Sequence, residues 1–176
     1  NELKSNHNNN NSNNYILLQV KIDEKNINQD VTLFNQVGTY KYLKNFERDD
    51  IETIIDEQMV NIKYKNRNKE YEYNSESRSC EKSQKIEYDL NMLYEYYWNF
   101  TTNGIHNVKI IFKKKLLQSN ELFSNCKSIY KIDCSNFDCS QIINCAKMFY
   151  GCSSLIEINL GKLEFALSNN FSEFEL

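Results

Sequence analysis

The side chains with the most reactive chemistry in this 176-residue chain are six cysteines and two histidines. Five of the cysteines, from Cys126 to Cys152, fall within the last 51 residues. They are separated by 7, 4, 5 and 6 intervening residues, and no histidine lies near them. A zinc site is usually built from close ligand pairs such as C-x-x-C, so this spacing does not indicate a metal site.

His106 lies between an Asn-Gly turn and an alternating apolar segment, with no serine or cysteine partner evident in the sequence. The chain has no G-x-S-x-G, H-E-x-x-H or phosphate-binding glycine motif, and it has only four glycines. We therefore expect a protein that is not an enzyme and that uses no cofactor and no metal. An enzyme with His106 in a polar cluster is the catalytic alternative.

The charge of the chain offers no strong field for a polyanion, since the net charge is −3 and both signs are mixed. The basic stretch "KIIFKKK" at 109–115 is small, which favours a solvated strand end over a phosphate-binding surface. No stretch approaches the roughly 20 consecutive apolar residues that cross a bilayer. The sequence predicts no nucleic-acid partner and no membrane span, and it leaves the cell surface and the cytoplasm open as locations.

The elements that position these residues begin after a polar leader. Residues 1–14, "NELKSNHNNNNSNN", have nothing to bury, so we expect them to be disordered. Residues 15–115 are predicted to form a β-rich domain. Within it, the alternating segments Tyr15–Ile22 and Val31–Phe34 predict a hairpin, and the acidic segment Asp50–Ile55 predicts a short capped helix.

Two further strands are predicted on either side of Asn103–Gly104, a dipeptide typical of hairpin turns. Apolar and aromatic residues occupy every second position in Tyr88–Phe100, and apolar ones do so in Val108–Phe112. A helical spacing also exists in the first segment, but the longer alternation and the aromatic residues favour a strand. The charged stretch 65–87 before it is predicted to be a long loop.

One sequence segment occurs twice in the chain. "FSNCKSIYKIDCSNF" at Phe123–Phe137 returns 26 residues later as "FYGCSSLIEINLGKL" at Phe149–Leu163. The shared apolar skeleton is of the form L-x-x-L-x-L-x-x-L, and a period of 20–29 residues with this skeleton is typical of leucine-rich repeats. Each repeat then predicts one short strand, with Ile132 above Ile158 in a parallel pair, and helical turns between the strands. Gly151 is predicted to close a turn in the left-handed conformation.

The two repeats also resemble a named family. "MFYGCSSLIEINL" and "FSNCKSIYKIDCSNFDCSQI" are similar to the BspA-like leucine-rich repeats of bacterial surface proteins and protist proteins, over about residues 120–174. The resemblance implies a curved binding scaffold rather than an activity. The expected fold is therefore α+β: a β-rich N-terminal cap domain, residues 15–115, followed by a short leucine-rich-repeat solenoid with parallel strands, residues 116–176, truncated or degenerate at its C-terminus.

The expected function follows from the outward side chains of these strands, because solenoids bind partners on the concave face. We expect a non-enzymatic protein–protein interaction module with a protein partner. The alternative is a structural spacer or surface-coat fragment with no specific ligand. Inward cysteines such as Cys126 and Cys152 are expected to be stacked free thiols that serve as small apolar residues, rather than a disulfide. The predicted contact residues are Lys131, Asp133, Ser135, Glu157 and Asn159.

Overall fold

The computed structural model describes residues 14–38, 48–66 and 92–163. Nine strands and two single-turn 3-10 helices, Glu24–Asn26 and Arg48–Asp50, make up its regular structure. No α-helix lies within these ranges, so the predicted α+β class is wrong and the described fold is nearly all β. The strands are β1 Tyr15–Ile22, β2 Asp30–Gly38, β3 Ile51–Ile55, β4 Gln58–Val60, β5 Lys63–Asn66, β6 Met92–Asn99, β7 Gly104–Phe112, β8 Ile129–Asp133 and β9 Glu157–Asn159.

The strands form two sheets. Six of them lie in the order β4-β3-β7-β1-β8-β9, and three in the order β2-β6-β5. Six strand pairs are antiparallel, and β8–β9 is parallel. The predicted leucine-rich-repeat solenoid with its own parallel sheet is therefore wrong. The physical reason is that β1 pairs with the other edge of β8, so the repeat strands extend a mixed sheet that the N-terminal strands begin.

Alternation of apolar side chains explains the core of the six-stranded sheet. In β1, inward residues such as Ile16 and Val20 have no exposed surface. In β7, the inward residues Val108, Ile110 and Phe112 are at most 1% exposed. The same alternation overturns the helix predicted at Asp50–Ile55, which is strand β3 with every second side chain buried. Its β-branched residues pair with β7, and this pairing outweighs a helical spacing that is only a few residues long.

Both predicted hairpins are wrong, although strands are found where the hairpins place them. β1 and β2 follow each other in sequence but belong to different sheets, and so do β6 and β7. The turn at Asn103–Gly104 therefore connects two sheets instead of two paired strands. The strand prediction for the aromatic segment is confirmed at 92–99, while 88–91 and most of the predicted loop lie outside the described residues.

The predicted leader also lies outside the described residues, except for Asn14. This side chain is buried, with 2% of its surface exposed. Its Nδ2 donates to the carbonyl of Lys114 at 3.2 Å, and its Oδ1 accepts from the backbone N–H of Asp138 at 2.8 Å. Asn14 thus joins the end of β7 to the segment that follows β8.

The two repeats stack directly on each other. Ile132 pairs with Ile158 in the register that the 26-residue offset predicts. Before β8, the alternate backbone N–H groups of Glu121, Phe123 and Asn125 donate to carbonyls of the second repeat at 2.7–3.0 Å. The helical turns predicted between the two strands are single turns instead. Local bonds close them, such as that from the N–H of Met148 to the carbonyl of Cys145, and left-handed residues such as Lys147 end them before a helix can form.

The backbone conformations of the two repeats match as well. Glu121 and Lys147 have φ of 56° and 54°, and Asn125 and Gly151 have φ of 58° and 72°. The left-handed conformation predicted for Gly151 is therefore confirmed. In each pair the two residues are 26 positions apart, so the two repeats have the same turn geometry.

Candidate interaction surface

The predicted contact residues of β8 and β9 lie side by side on the outward side of the six-stranded sheet. Lys131 faces Glu157, and Asp133 faces Asn159. The Nζ of Lys131 lies 2.5 Å from Oε2 of Glu157, with the two side chains 36% and 64% exposed. The hydrogen bond to Glu157, and then its charge, raise the pKa of Lys131. The register thus creates an ordered ion pair on an accessible surface.

Two polar side chains of this surface accept hydrogen bonds from within the chain. One carboxylate oxygen of Asp133 accepts the backbone N–H of Ser135 at 2.9 Å, and Oδ1 of Asn159 accepts that of Gly161 at 3.2 Å. Each side chain therefore closes the turn after its own strand, as Asp and Asn commonly do. Ser135 lies beyond the end of β8 and is exposed. The strands bring four of the five residues into one array, and Ser135 lies at its margin.

Strands β1 and β7 add residues to the same side of the sheet that the sequence reasoning did not assign to it. Leu17 of β1 lies opposite Asp133 on one flank and opposite Lys109 of β7 on the other. Leu17 is 37% exposed. The alternation of β1 marked these positions as outward, but nothing in the sequence showed which strands would flank them. We call this side of the sheet the outer face, defined by Tyr15, Leu17, Gln19, Lys109, Ile111, Lys131, Asp133, Glu157 and Asn159.

Three of the four lysines in the basic stretch 109–115 are neutralised by carboxylates within the chain. Each of its last three lysines forms an ion pair, and the Nζ of Lys109 lies 3.9 Å from the ring centroid of Tyr15. Hydrogen bonds from Ser140 and Lys115 lower the pKa of Asp138 to about 2. These contacts support a solvated strand end over a phosphate site. The pairs are Lys113–Glu52, Lys114–Asp50 and Lys115–Asp138, each at 2.9 Å.

His106 has partners that the sequence did not reveal. Its Nδ1 lies 2.6 Å from a carboxylate oxygen of Asp56, a residue 50 positions earlier in the β3–β4 turn. Its Nε2 lies 3.0 Å from the carbonyl oxygen of Thr102 and 3.5 Å from the hydroxyl of the same residue. The carbonyl and the carboxylate are both hydrogen-bond acceptors, so each ring nitrogen lies closest to an oxygen acceptor. This geometry ties two turns together.

The five cysteines of the described ranges are free thiols. Burial raises the pKa of Cys134 to about 12 and that of Cys152 to about 11. The Sγ of Cys152 donates to the carbonyl of Phe123 in the other repeat at 3.0 Å. Cys80 lies outside the described residues. Within those residues, no group of three or more His, Cys, Asp or Glu side chains could hold a metal ion.

Comparisons with protein-family models, with curated proteins and with solved structures gave no match. Among the residues that the structure describes, no helix has the length and apolar composition required to cross a membrane.

Proposed function

We propose that this protein is a non-enzymatic protein–protein interaction module that contacts its partner through the β8–β9 part of the outer face. The observation that carries the proposal is the register of Lys131 with Glu157 and of Asp133 with Asn159. It arranges three charged residues and one polar amide in a fixed two-by-two array. Ordered charges of both signs favour selective recognition of a complementary protein surface.

Two further features support a binding role. The array lies on strands within a sheet, so its backbone positions are held by hydrogen bonds and by the buried side chains of Ile129, Ile132 and Cys134 beneath it. A rigid array loses little conformational entropy on binding. The resemblance of the repeats to a family of binding scaffolds supports the same role.

The second candidate is a structural spacer without a specific ligand. The observation that favours it is the internal use of polar groups: Lys131 and Glu157 neutralise each other, and Asp133 and Asn159 close turns. A surface whose groups are satisfied internally has less to offer a partner.

The test uses a variant that changes the array but keeps its internal contacts. It exchanges the ion pair by Lys131→Glu and Glu157→Lys, and it combines Asp133→Asn, Asn159→Asp and Ser135→Ala. The turn-closing oxygens and the net charge are retained. Immobilised wild type and variant are used to capture proteins, captured proteins are identified by mass spectrometry, and one is purified for direct titration. We expect binding to weaken by more than about tenfold in the variant.

A matched control carries Lys127→Glu and Glu24→Lys, two exposed residues away from the array. It should bind like the wild type. Equal binding by the wild type, the control and the five-residue variant would overturn the proposed contact surface. The absence of any specifically captured protein would favour the spacer. Circular dichroism and thermal unfolding confirm that all three proteins are folded.

A further inference from the structure

We propose that a second copy of this chain packs on the outer face, about a two-fold axis that runs parallel to β1, between the two sheets and above Leu17. The second copy is one occupant of the outer face, which also contains the β8–β9 array, so it shares Asp133 with the partner proposed above.

The charges on the outer face provide the first argument. The Lys131–Glu157 ion pair compensates two of the four charged groups of this face within the chain. Within the described residues, Lys109 and Asp133 have no oppositely charged partner. They lie on the two strands that flank β1, and both are in register with Leu17. Two opposite, uncompensated charges therefore stand symmetrically on either side of one apolar residue.

The symmetry of this arrangement makes it complementary to itself. Adjacent strands are about 4.8 Å apart, so Lys109 and Asp133 are displaced by equal distances on opposite sides of β1. A two-fold rotation about an axis parallel to β1, between the two sheets, places the β7 side of one copy over the β8 side of the other. In the resulting pair of sheets, Lys109 of each copy lies over Asp133 of the other, and Leu17 meets Leu17. An isologous contact of this kind forms the same ion pair twice.

The side chains around this centre suit the packing of one sheet on another. Leu17 is 37% exposed, and Tyr15 and Ile111, which are paired neighbours along the strands, are partly buried. The ring of Tyr15 already lies against the Nζ of Lys109 at 3.9 Å, which orders the lysine. Six strands give a face about 24 Å wide. Two such faces pack about 10 Å apart with aromatic and aliphatic side chains between them.

The test is a pair of charge reversals, Lys109→Glu and Asp133→Lys, studied by sedimentation equilibrium. Each variant alone places like charges opposite each other twice, so we expect its dimer dissociation constant to rise by more than about tenfold. When the two variants are mixed, both contacts regain opposite charges. The mixture is therefore expected to form a heterodimer with an affinity near that of the wild-type dimer, as is the double variant with itself.

Lys21→Glu serves as the control. Lys21 lies on β1 itself, near the axis, so Lys21 of one copy faces Lys21 of the other. Lys21→Glu changes the net charge by the same amount as the test substitutions, but the two facing side chains still carry like charges. We expect no change in its dissociation constant. Because Asp133→Lys removes the turn contact with Ser135, a second pair, Leu17→Lys and Leu17→Glu, tests the axis without altering that turn: each should be monomeric alone and dimeric when mixed.

A wild-type protein that stays monomeric at the highest concentrations measured would overturn the inference, and so would a dimer that ignores both pairs of substitutions. Because Asp133 belongs to both surfaces, the two proposals are separated by the residues that they do not share. The Leu17 pair changes no residue of the β8–β9 array, and the Lys131–Glu157 exchange changes no residue of the dimer centre, so the failure of one proposal can be told from the failure of the other.

Discussion

At the scale of single residues, the contact between His106 and Asp56 shows how a side chain of catalytic type can serve the fold. The carboxylate of Asp56 accepts two hydrogen bonds, one from the His106 ring and one from the backbone N–H of Asn107 at 2.9 Å. The ring of His106 also lies 4.6 Å from that of Phe100. The histidine is thus held on three sides, between the β3–β4 turn and the start of β7.

We expect Asp56→Ala to lower the free energy of unfolding by about 1–3 kcal/mol, because it leaves a buried imidazole N–H without its acceptor. Urea denaturation followed by circular dichroism measures the change. Glu57→Ala in the same turn is the control, since Glu57 is exposed and has the same left-handed backbone, with φ of 68°. Equal stability of the two variants would show that the His106–Asp56 contact contributes little.

A second prediction at this scale concerns Cys134. Its pKa is raised by burial from 9.0 to about 12, so the folded state disfavours the thiolate. The corresponding stability is fully present below pH 9 or so, and it is lost as the pH rises towards 12. We expect the wild type to lose about 2 kcal/mol more than Cys134→Ala between about pH 8 and about pH 10.5.

The measurement is the free energy of unfolding of both proteins at the two pH values, by urea denaturation under reducing conditions. Cys134→Ala is expected to be less stable at the lower pH because it leaves a small cavity. Parallel losses in the two proteins would mean that the Cys134 thiol is not kept protonated by burial.

At the scale of elements, the stacking of the two repeats depends on glycine at one close approach. A Cβ on Gly161 would lie 2.7 Å from the Cα of Ser135, which is the residue 26 positions earlier in the first repeat. Backbone atoms of the first repeat cannot move aside as a flexible side chain would. The second repeat can therefore lie at sheet distance from the first only because this turn has no side chain.

We expect Gly161→Ala to destabilise the protein by about 2–4 kcal/mol, through this clash and the left-handed φ of 54°. Gly104→Ala is the control for backbone strain: a Cβ there would meet nothing within 4 Å, and its φ of 114° is less accessible to alanine than the φ of 54° at Gly161. A larger loss of stability at Gly161 than at Gly104, measured by melting temperature, is therefore due to the contact between the repeats. A smaller or equal loss would contradict this prediction.

At the scale of the whole molecule, Asn35 connects the three-stranded sheet to the first repeat. This residue of β2 is 1% exposed. Its Nδ2 donates to the carbonyls of Ser124 at 2.8 Å and Glu121 at 3.2 Å, and its backbone N–H donates to the carbonyl of Leu122 at 2.7 Å. One side chain thus satisfies carbonyls of a buried turn that the second repeat does not reach.

We expect Asn35→Ala to cost about 1–3 kcal/mol, because the buried carbonyl of Ser124 loses its amide donor, whereas the carbonyl of Glu121 keeps the backbone N–H of Ser124. Asn35→Asp should cost more, since it places a carboxylate against those same oxygens. Hydrogen exchange of the Glu121–Asn125 turn should accelerate in Asn35→Ala relative to the wild type. A variant as stable as the wild type would show that water replaces the amide without loss.

What the sequence determined by itself is local: which segments alternate, which side of β1, β7 and β8 is buried, and that two segments share one conformation at an interval of 26 residues. These follow from the two-residue period of strands and from the repeat. Apart from the β8–β9 pair that the repeat predicted, which strands would pair was decided only by the tertiary structure, and so were the partners of His106 and the neighbours of Lys109 and Asp133. The physical reason is that backbone hydrogen-bonding groups are the same in every strand, so an alternating segment can join any sheet edge that buries its apolar side.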